Sequence, residues 1–487
     1  MSDQPRVRIH RLATGVPGLD EVLGGGIPEL AFNLIAGAPG TGKTTLAQQI
    51  MFANATPERP AVFFTVMGEP PVKMLRYQQQ FTFFDPSRVG VDIFFINLIE
   101  EVLERNLDGV LERITQEVER RNPSIVVVDS FRTVVRAMDE PGTSELDLQH
   151  FLQRLALRLT SWETTSFLIG EFAEGESRNP VFTVADGVIW LLNELERNSS
   201  TRKLRVTKIR GQAPMPGLHT LRLSDRGTEV FPRVPQETPD RPKPQGDRLS
   251  TGVPELDEMM GGGIVRGDSI MVAGPTGSGK TILATQFVAA GRKKKECAVI
   301  AVFEEQPHSY IRRARDLGLP LDKMIDEGTL EIIYLRPLDL SVDETLQAIR
   351  ERIERLGATR VVIDSMSGFE VALAPGYRQD FRESFYRLLR ALTTLDITVM
   401  STVEVIESTD YLRFAPYNVS FLADDIVAMR YIELNGELRR VISVVKMRMS
   451  SHASELRLYS VTGQGLEIGE VLRGYTGIIT GVPQPTK

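Results

Sequence analysis

The chain is 487 residues long, 42% hydrophobic and 25% charged, and 57 Lys and Arg against 64 Asp and Glu leave a formal net charge of −7. At ~100–200 residues per domain this length predicts two or three units with full cores, and the composition excludes a wholly disordered or collagen-like chain. The acid excess argues against a nucleic-acid partner held by bulk charge; the single cysteine, Cys297, excludes an intramolecular disulfide; and no apolar run nears the ~20 residues that span a bilayer, so a cytoplasmic protein without membrane contact is expected.

In chain order, the first distinctive segment is RLATGVPGLDEVLGGG at residues 11–26, and it returns as RLSTGVPELDEMMGGG at 248–263. Twelve of the sixteen positions are identical at an offset of 237, which also carries Gly37 onto Gly274 and Lys43 onto Lys280. Farther on, Lys208-Ile209-Arg210 meets Lys446-Met447-Arg448 at an offset of 238. A period this long is no solenoid repeat. It predicts two tandem homologous domains, 1–231 and 248–487. Between them, residues 232–247 hold five prolines, six charges and one large apolar residue. Proline fixes φ and removes backbone donors, so an extended linker is expected there.

In the first half, Phe32–Ala36, Ala61–Val66, Ile125–Val128 and Ser166–Ile169 are short apolar runs bounded by turn signals, the pattern of strands buried on both faces. Between them lie helical patterns. Over 101–121, Leu103, Leu107, Val110, Leu111, Ile114 and Val118 share one 3.6-period face. The second half repeats the order with Ser269–Ala273, Ala298–Phe303, Arg360–Ile363 and Thr398–Ser401. Each half closes on alternating stretches, Asp186–Leu192 with Lys203–Ile209 and Ile426–Ile432 with Arg439–Lys446. The expected fold class is doubly wound α/β, twice over, each sheet mostly parallel with antiparallel additions.

Gly37-Ala38-Pro39-Gly40-Thr41-Gly42-Lys43-Thr44 fits the P-loop pattern G-x-x-x-x-G-K-[ST], and so does Gly274-Pro275-Thr276-Gly277-Ser278-Gly279-Lys280-Thr281. Each follows an apolar strand and opens a helix, the context that gives the motif its meaning. Glycines let backbone N–H groups turn inward around phosphates, and the helix N-terminus adds partial positive charge. Lys43 and Lys280 are expected to reach the β- and γ-phosphates of ATP, with Thr44 and Thr281 as Mg²⁺ ligands. Thr45 joins the expected ATP contacts of the first loop. Asp129 ends the run Ile125–Val128 and Asp364 ends Arg360–Ile363. In a domain with a P-loop, each reads as the second carboxylate of the nucleotide site, the alternative being a helix cap.

Phosphoryl transfer also needs a group that orients or deprotonates the nucleophile. In the second half, the strand Ala298–Phe303 runs directly into Glu304-Glu305-Gln306-Pro307. Paired carboxylates at a strand end opposite a P-loop suit water activation, the alternative being a solvated acidic loop. The first half reads Met67-Gly68-Glu69-Pro70 at that offset. Glu69 comes one or two positions late, and on an extended chain a one-residue shift turns a side chain to the opposite face. The first domain is therefore expected to bind nucleotide without hydrolysing it efficiently.

The repeated TGVP…LDE…GGG phrases, the two P-loops and Phe303-Glu304-Glu305 together resemble the KaiC family of double-domain, RecA-like P-loop NTPases best known from bacterial circadian clocks, over nearly the whole chain. The resemblance implies a homo-hexameric ring with ATP at subunit interfaces and a C-terminal domain that autophosphorylates on an adjacent Ser-Thr pair. It implies that Glu304 and Glu305 are the paired catalytic glutamates, with Thr281 and Glu304 near Mg²⁺. Lys208, Arg210, Lys446, Arg448 and His452 match the basic residues that reach a neighbour's nucleotide, where a cation in trans neutralises charge on the γ-phosphate. From spacing alone, Lys-x-Arg reads equally as the solvent face of a strand.

Three departures separate the chain from that pattern. The first domain lacks the glutamate pair. Ser420 falls on the family's phosphoacceptor serine, but Phe421 stands where its threonine would be, which removes an ordered two-site cycle. The chain ends at Lys487, soon after Ile478-Ile479-Thr480-Gly481, so the extended activator-binding tail of the clock members is not expected. The favoured expectation is a hexameric signalling or clock-like switch that hydrolyses ATP and autophosphorylates on Ser420, with a small signalling protein as a possible partner. The alternatives are a plain ATPase switch without kinase activity, a nucleic-acid remodeller, and a scaffold glued by nucleotide. Arg292-Lys293-Lys294-Lys295 reads as a helix-end charge run, and Phe81, Phe83 and Phe84 as core or interface.

Overall fold

A computed structural model of the chain describes residues 9–66, 71–103, 107–130, 145–173, 179–196, 199–233, 247–335, 340–373, 381–405, 423–434, 436–448, 450–476 and 484–485. The chain divides into two compact units, Met1–Arg233 and Val234–Lys487. Most of the expected linker, residues 234–246, lies outside the described residues.

Among the described residues each unit holds one nine-stranded sheet. Across the first, the order is Gly227–Phe231, His219–Ser224, Ser199–Ile209, Gly187–Glu196, Phe32–Gly37, Thr165–Glu171, Ile125–Asp129, Ala61–Thr65 and Ile93–Asn97. The last six of these run parallel and the first three are antiparallel additions. The second sheet repeats the order from Gly465–Val471 and Arg457–Thr462 at one edge to Leu330–Tyr334 at the other, with Ser269–Gly274 between Thr398–Glu404 and Asp425–Leu434. This is the expected α/β class, in duplicate.

Both faces of the parallel strands are covered, which is why those strands read as unbroken apolar runs. Because side chains alternate along a strand, Ile35, Phe63, Val127 and Phe167 pack toward Leu46, Ile50 and Met51 of helix Lys43–Asn54. Leu34, Phe64, Val126 and Leu168 pack instead toward Val110, Leu111, Ile114 and Val118. The second unit does the same, with Ile270, Ile300 and Val362 on the side of Leu283 and Phe287. Met271, Val299 and Val361 face Leu346, Ile349 and Leu388.

The periodic stretch 101–121 is helical over Ile99–Leu103 and Leu107–Arg121, and residues 104–106 lie outside the described residues. Two edge strands, Ile93–Asn97 and Leu330–Tyr334, carry no alternation strong enough to announce them. Phe84 is buried against Phe52 with ring centroids 4.8 Å apart, while Phe81 stacks on Phe83 at 5.5 Å. Arg292 of the basic run pairs with Glu327 at 2.5 Å. No helix among the described residues is long and apolar enough to cross a membrane.

Candidate nucleotide sites

Each P-loop sits where the central parallel strand of its sheet ends and a helix begins, between Phe32–Gly37 and Lys43–Asn54 and between Ser269–Gly274 and Lys280–Gly291. The turn into each helix passes through Gly42 and Gly279, both at φ 101, a left-handed conformation that a side chain resists. A Cβ on Gly37 would lie 2.2 Å from the Leu191 carbonyl oxygen, so this glycine also allows close packing against the next strand. Ala38 and Pro275 accept hydrogen bonds from Thr41 Oγ1 and Ser278 Oγ at 2.9 and 2.8 Å, which ties each loop across itself. Pro39, Gly40, Thr276 and Gly277 form the loop crowns, and Thr45 lies in the first turn of its helix.

The loop lysines fold back onto their own loops. Lys43 Nζ donates to Gly37 and Ala38 carbonyls at 2.9 and 2.7 Å, and Lys280 Nζ to Gly274 and Pro275 carbonyls, both at 2.8 Å. Burial holds both ammonium groups below the usual lysine range, against the pull of Glu171 and Asp129 on Lys43 and of Glu404, Asp364 and Glu304 on Lys280. Phosphate oxygens supply what these carbonyls supply here, with full negative charge.

The two aspartates are held differently. Asp129 accepts from Thr44 Oγ1 at 2.6 Å, and burial pushes its carboxyl above the usual range despite that hydrogen bond and the nearby Lys43. Asp364 accepts from Thr402 Oγ1 at 2.5 Å. The hydroxyl-plus-carboxylate set of Thr44 and Asp129 is made of hard oxygen donors suited to Mg²⁺. Among the described residues, no group of three or more His, Cys, Asp or Glu gathers as a protein-only metal centre.

Glu304 and Glu305 follow the strand Cys297–Val302 at its C-terminal end. Ser365 Oγ donates to Glu304 Oε1 at 3.0 Å, and Arg313 Nη2 donates to Glu305 Oε2 at 2.6 Å. Arg313 in turn lies over the ring of the buried Tyr310, 5.0 Å from its centroid. The first-domain segment Met67–Pro70 lies outside the described residues, as do Ser420 and Phe421.

The basic residues lie toward the other end of each sheet. Lys208 stands opposite Val188, which pairs with Leu34, so it sits three residues back along the strand from Gly37. Its Nζ donates to Phe182 and Thr183 carbonyls at 3.2 and 3.0 Å, and Arg210 pairs with Asp186 at 2.8 Å. Lys446 Nζ donates to the Ala423 carbonyl at 2.6 Å, and Arg448 faces Asp424 at 3.4 Å. Burial, with the neighbouring arginine, lowers both lysines. His452 Nδ1 lies 3.0 Å from the Ala453 carbonyl oxygen.

Sequence reasoning missed three features of these sites. Glu171 and Glu404 end the strands beside the P-loop strands, in register with Gly37 and Gly274, and Glu404 accepts from the Thr276 hydroxyl. The duplicated register was the available signal. Tyr459 Oη donates to the Ser278 carbonyl at 2.6 Å inside the second core, where the first unit has Leu221. Nothing local marks that tyrosine as a loop contact.

A parallel α/β sheet with a glycine-rich phosphate loop at the C-terminal end of its central strand, repeated twice, defines a tandem P-loop NTPase. The chain belongs to the KaiC family: the model of the KaiC ATPase matches residues 12–234 and again 249–473. It is 28% identical over 486 residues to the circadian clock oscillator protein KaiC of Prochlorococcus marinus (strain MIT 9313), covering 98% of this chain and 96% of that one. To circadian clock oscillator protein KaiC 1 of Synechocystis sp. (strain ATCC 27184 / PCC 6803 / Kazusa) it is 29% identical over 495 residues, 99% and 93% of the two chains. It is thus a KaiC-type ATPase.

Proposed function

We propose that ATP hydrolysis resides mainly in the second domain and that the chain works as a nucleotide-driven switch assembled as a homo-hexamer. The observation that carries this reading is the placement of Glu304, bonded to Ser365 at the end of the strand beside Asp364 and within electrostatic reach of Lys280. In the proposed step, a water oxygen attacks the γ-phosphorus and its proton passes to the Glu304 carboxylate. The bond from the γ-phosphorus to the β–γ bridging oxygen breaks, and ADP leaves with that electron pair. Lys280 moves from the loop carbonyls to the β- and γ-phosphates, and Glu305 remains charged beside Arg313. Thr281, with Asp364 and Glu304, would hold Mg²⁺ in this domain, and Thr44 with Asp129 in the first; the ion offsets phosphate charge when bound.

The position of Lys208, Arg210, Lys446 and Arg448 away from their own P-loops supports a role against the nucleotide of another copy, and the family resemblance adds His452. A ring that joins the same two surfaces at every contact places those residues there, and nucleotide at the contact links occupancy to assembly. Light scattering with ATP should give a hexamer; a monomer at every ATP concentration overturns the ring. Lys280→Ala should remove most turnover and Lys43→Ala should chiefly weaken assembly.

The same reading makes Ser420 the acceptor of a γ-phosphoryl group, with Phe421 removing the second acceptor; the family resemblance supports this. Phosphopeptide mass spectrometry after incubation with Mg-ATP should find phosphate on Ser420, absent in Ser420→Ala and Lys280→Ala. Steady hydrolysis with Ser420 unmodified makes the protein a plain ATPase switch.

A further inference from the structure

We infer that Ser365 and Gly368 are positioning residues that together form a seat for the Glu304 carboxylate. The inference rests on the proposed catalytic role of Glu304 and deepens it. Ser365 caps the helix Met366–Ala372, and its Oγ accepts from the Gly368 N–H at 3.0 Å. A hydroxyl has one proton. With a lone pair of Ser365 taken by that N–H, the proton is directed to Glu304 Oε1, 3.0 Å away. The helix start therefore orients the hydroxyl, and the hydroxyl orients the carboxylate.

Gly368 supplies the second half of the seat. A Cβ at this position would lie 2.7 Å from Oε1, 2.8 Å from Cγ and 3.1 Å from Cδ of Glu304. The carboxylate lies directly over the bare Cα. Glycine is a poor helix residue, and here its backbone needs no left-handed conformation, since the residue is helical. What its missing side chain provides is room for Glu304. The displaced group in an alanine variant is the free end of a side chain rather than backbone, so the carboxylate moves while the fold does not. Misplacement by about 1 Å at a reacting group costs about a hundredfold in rate.

The test uses the full chain with Mg-ATP, reading turnover at the second P-loop as the difference from Lys280→Ala. Gly368→Ala should lower kcat by about 10- to 100-fold and leave KM within about threefold. Its thermal midpoint should be unchanged or higher, because alanine favours the helix. Ser365→Ala should lower kcat by about 10-fold and leave KM within about threefold, since the carboxylate loses the hydroxyl that orients it. Ser365→Thr, which retains the hydroxyl, should restore kcat. Glu304→Gln in the same series separates the two readings. If Glu304→Gln keeps wild-type turnover, the catalytic role of Glu304 fails. If Glu304→Gln loses turnover while Gly368→Ala and Ser365→Ala keep kcat within twofold, the seat is refuted and the catalytic role stands. A loss in Gly368→Ala accompanied by a lowered thermal midpoint also overturns the seat, because the glycine would then serve the fold.

Discussion

Replacing Tyr459 by phenylalanine removes one oxygen atom from the second core, and its effect should centre on the second P-loop. The ring stays packed with Leu466 and Ile468, but the Ser278 carbonyl loses a 2.6 Å hydrogen bond. Burial holds the Tyr459 hydroxyl above the usual tyrosine range, so it remains a donor at every working pH. Ser278 and Tyr459 are 0% and 6% exposed, which leaves little access for a replacing water. A buried acceptor left unpaired costs about 1–3 kcal/mol. At roughly 2–4 °C per kcal/mol for a domain of this size, the second domain's unfolding midpoint should fall by about 2–12 °C. If all of that loss appears as loop disorder that ATP must reverse, affinity at the second site weakens by about 5- to 150-fold. Titration with a fluorescent ATP analogue in a Lys43→Ala background reads the second site, and calorimetry reads the midpoint. The first domain, with Leu221 at the matching position, serves as internal control. A midpoint within 1 °C of wild type together with affinity within about twofold would show that the loop does not depend on this clasp.

Asp129→Asn should produce a crossover. Burial raises the Asp129 carboxyl, so the fold favours its neutral form: that contribution is fully present below the unfolded value of 3.8 and is lost as pH rises from there through the higher folded value, where the buried charge opposes folding. At pH 7 the nucleotide-free variant should therefore show slower hydrogen exchange in Ile125–Asp129 than wild type, yet gain less protection from Mg-ATP; an unchanged ligand response contradicts the metal-site reading. His219 is buried, donates from Nε2 to the Met215 carbonyl at 3.2 Å and accepts the Arg233 N–H at Nδ1. Burial lowers it below 6.5, so first-domain stability should be lost as pH falls through that value, by at most about 1.4 kcal/mol per pH unit, and His219→Gln should flatten the slope in thermal melts at pH 5.5–8. Arg360, 1% exposed, is bonded to Glu296 at 2.6 Å and to Ser250 and Phe287 carbonyls at 2.8 Å. Arg360→Met should destabilise the second domain by about 3–5 kcal/mol in urea unfolding, whereas Arg266→Met, at a half-buried arginine whose partners Asp247 and Asp396 are exposed, should cost about 1 kcal/mol.

The chain's duplication, its P-loops and most of its parallel strands were legible from sequence because each is encoded locally. A P-loop is a run of glycines with a lysine at fixed spacing, and a strand buried on both faces is a short unbroken apolar run between turn signals. Among the described residues, the edge strands Ile93–Asn97 and Leu330–Tyr334 have a paired neighbour on one side only, and they carried weaker patterns. The periodic face over 101–121 was legible because a 3.6-residue period is also local, and it falls on helices Ile99–Leu103 and Leu107–Arg121. The sequence also identified Glu304 and Glu305 as a pair. Their partners were decided by tertiary structure alone: Ser365 is 61 residues from Glu304, and Tyr459 is 181 from Ser278. The same motif even takes different partners in the two halves, Asp129 bonding Thr44 and Asp364 bonding Thr402. Spacing specifies which residues share a strand or a turn. Which side chains meet across the sheet is set by strand order and register, and those emerge only when the chain packs against itself.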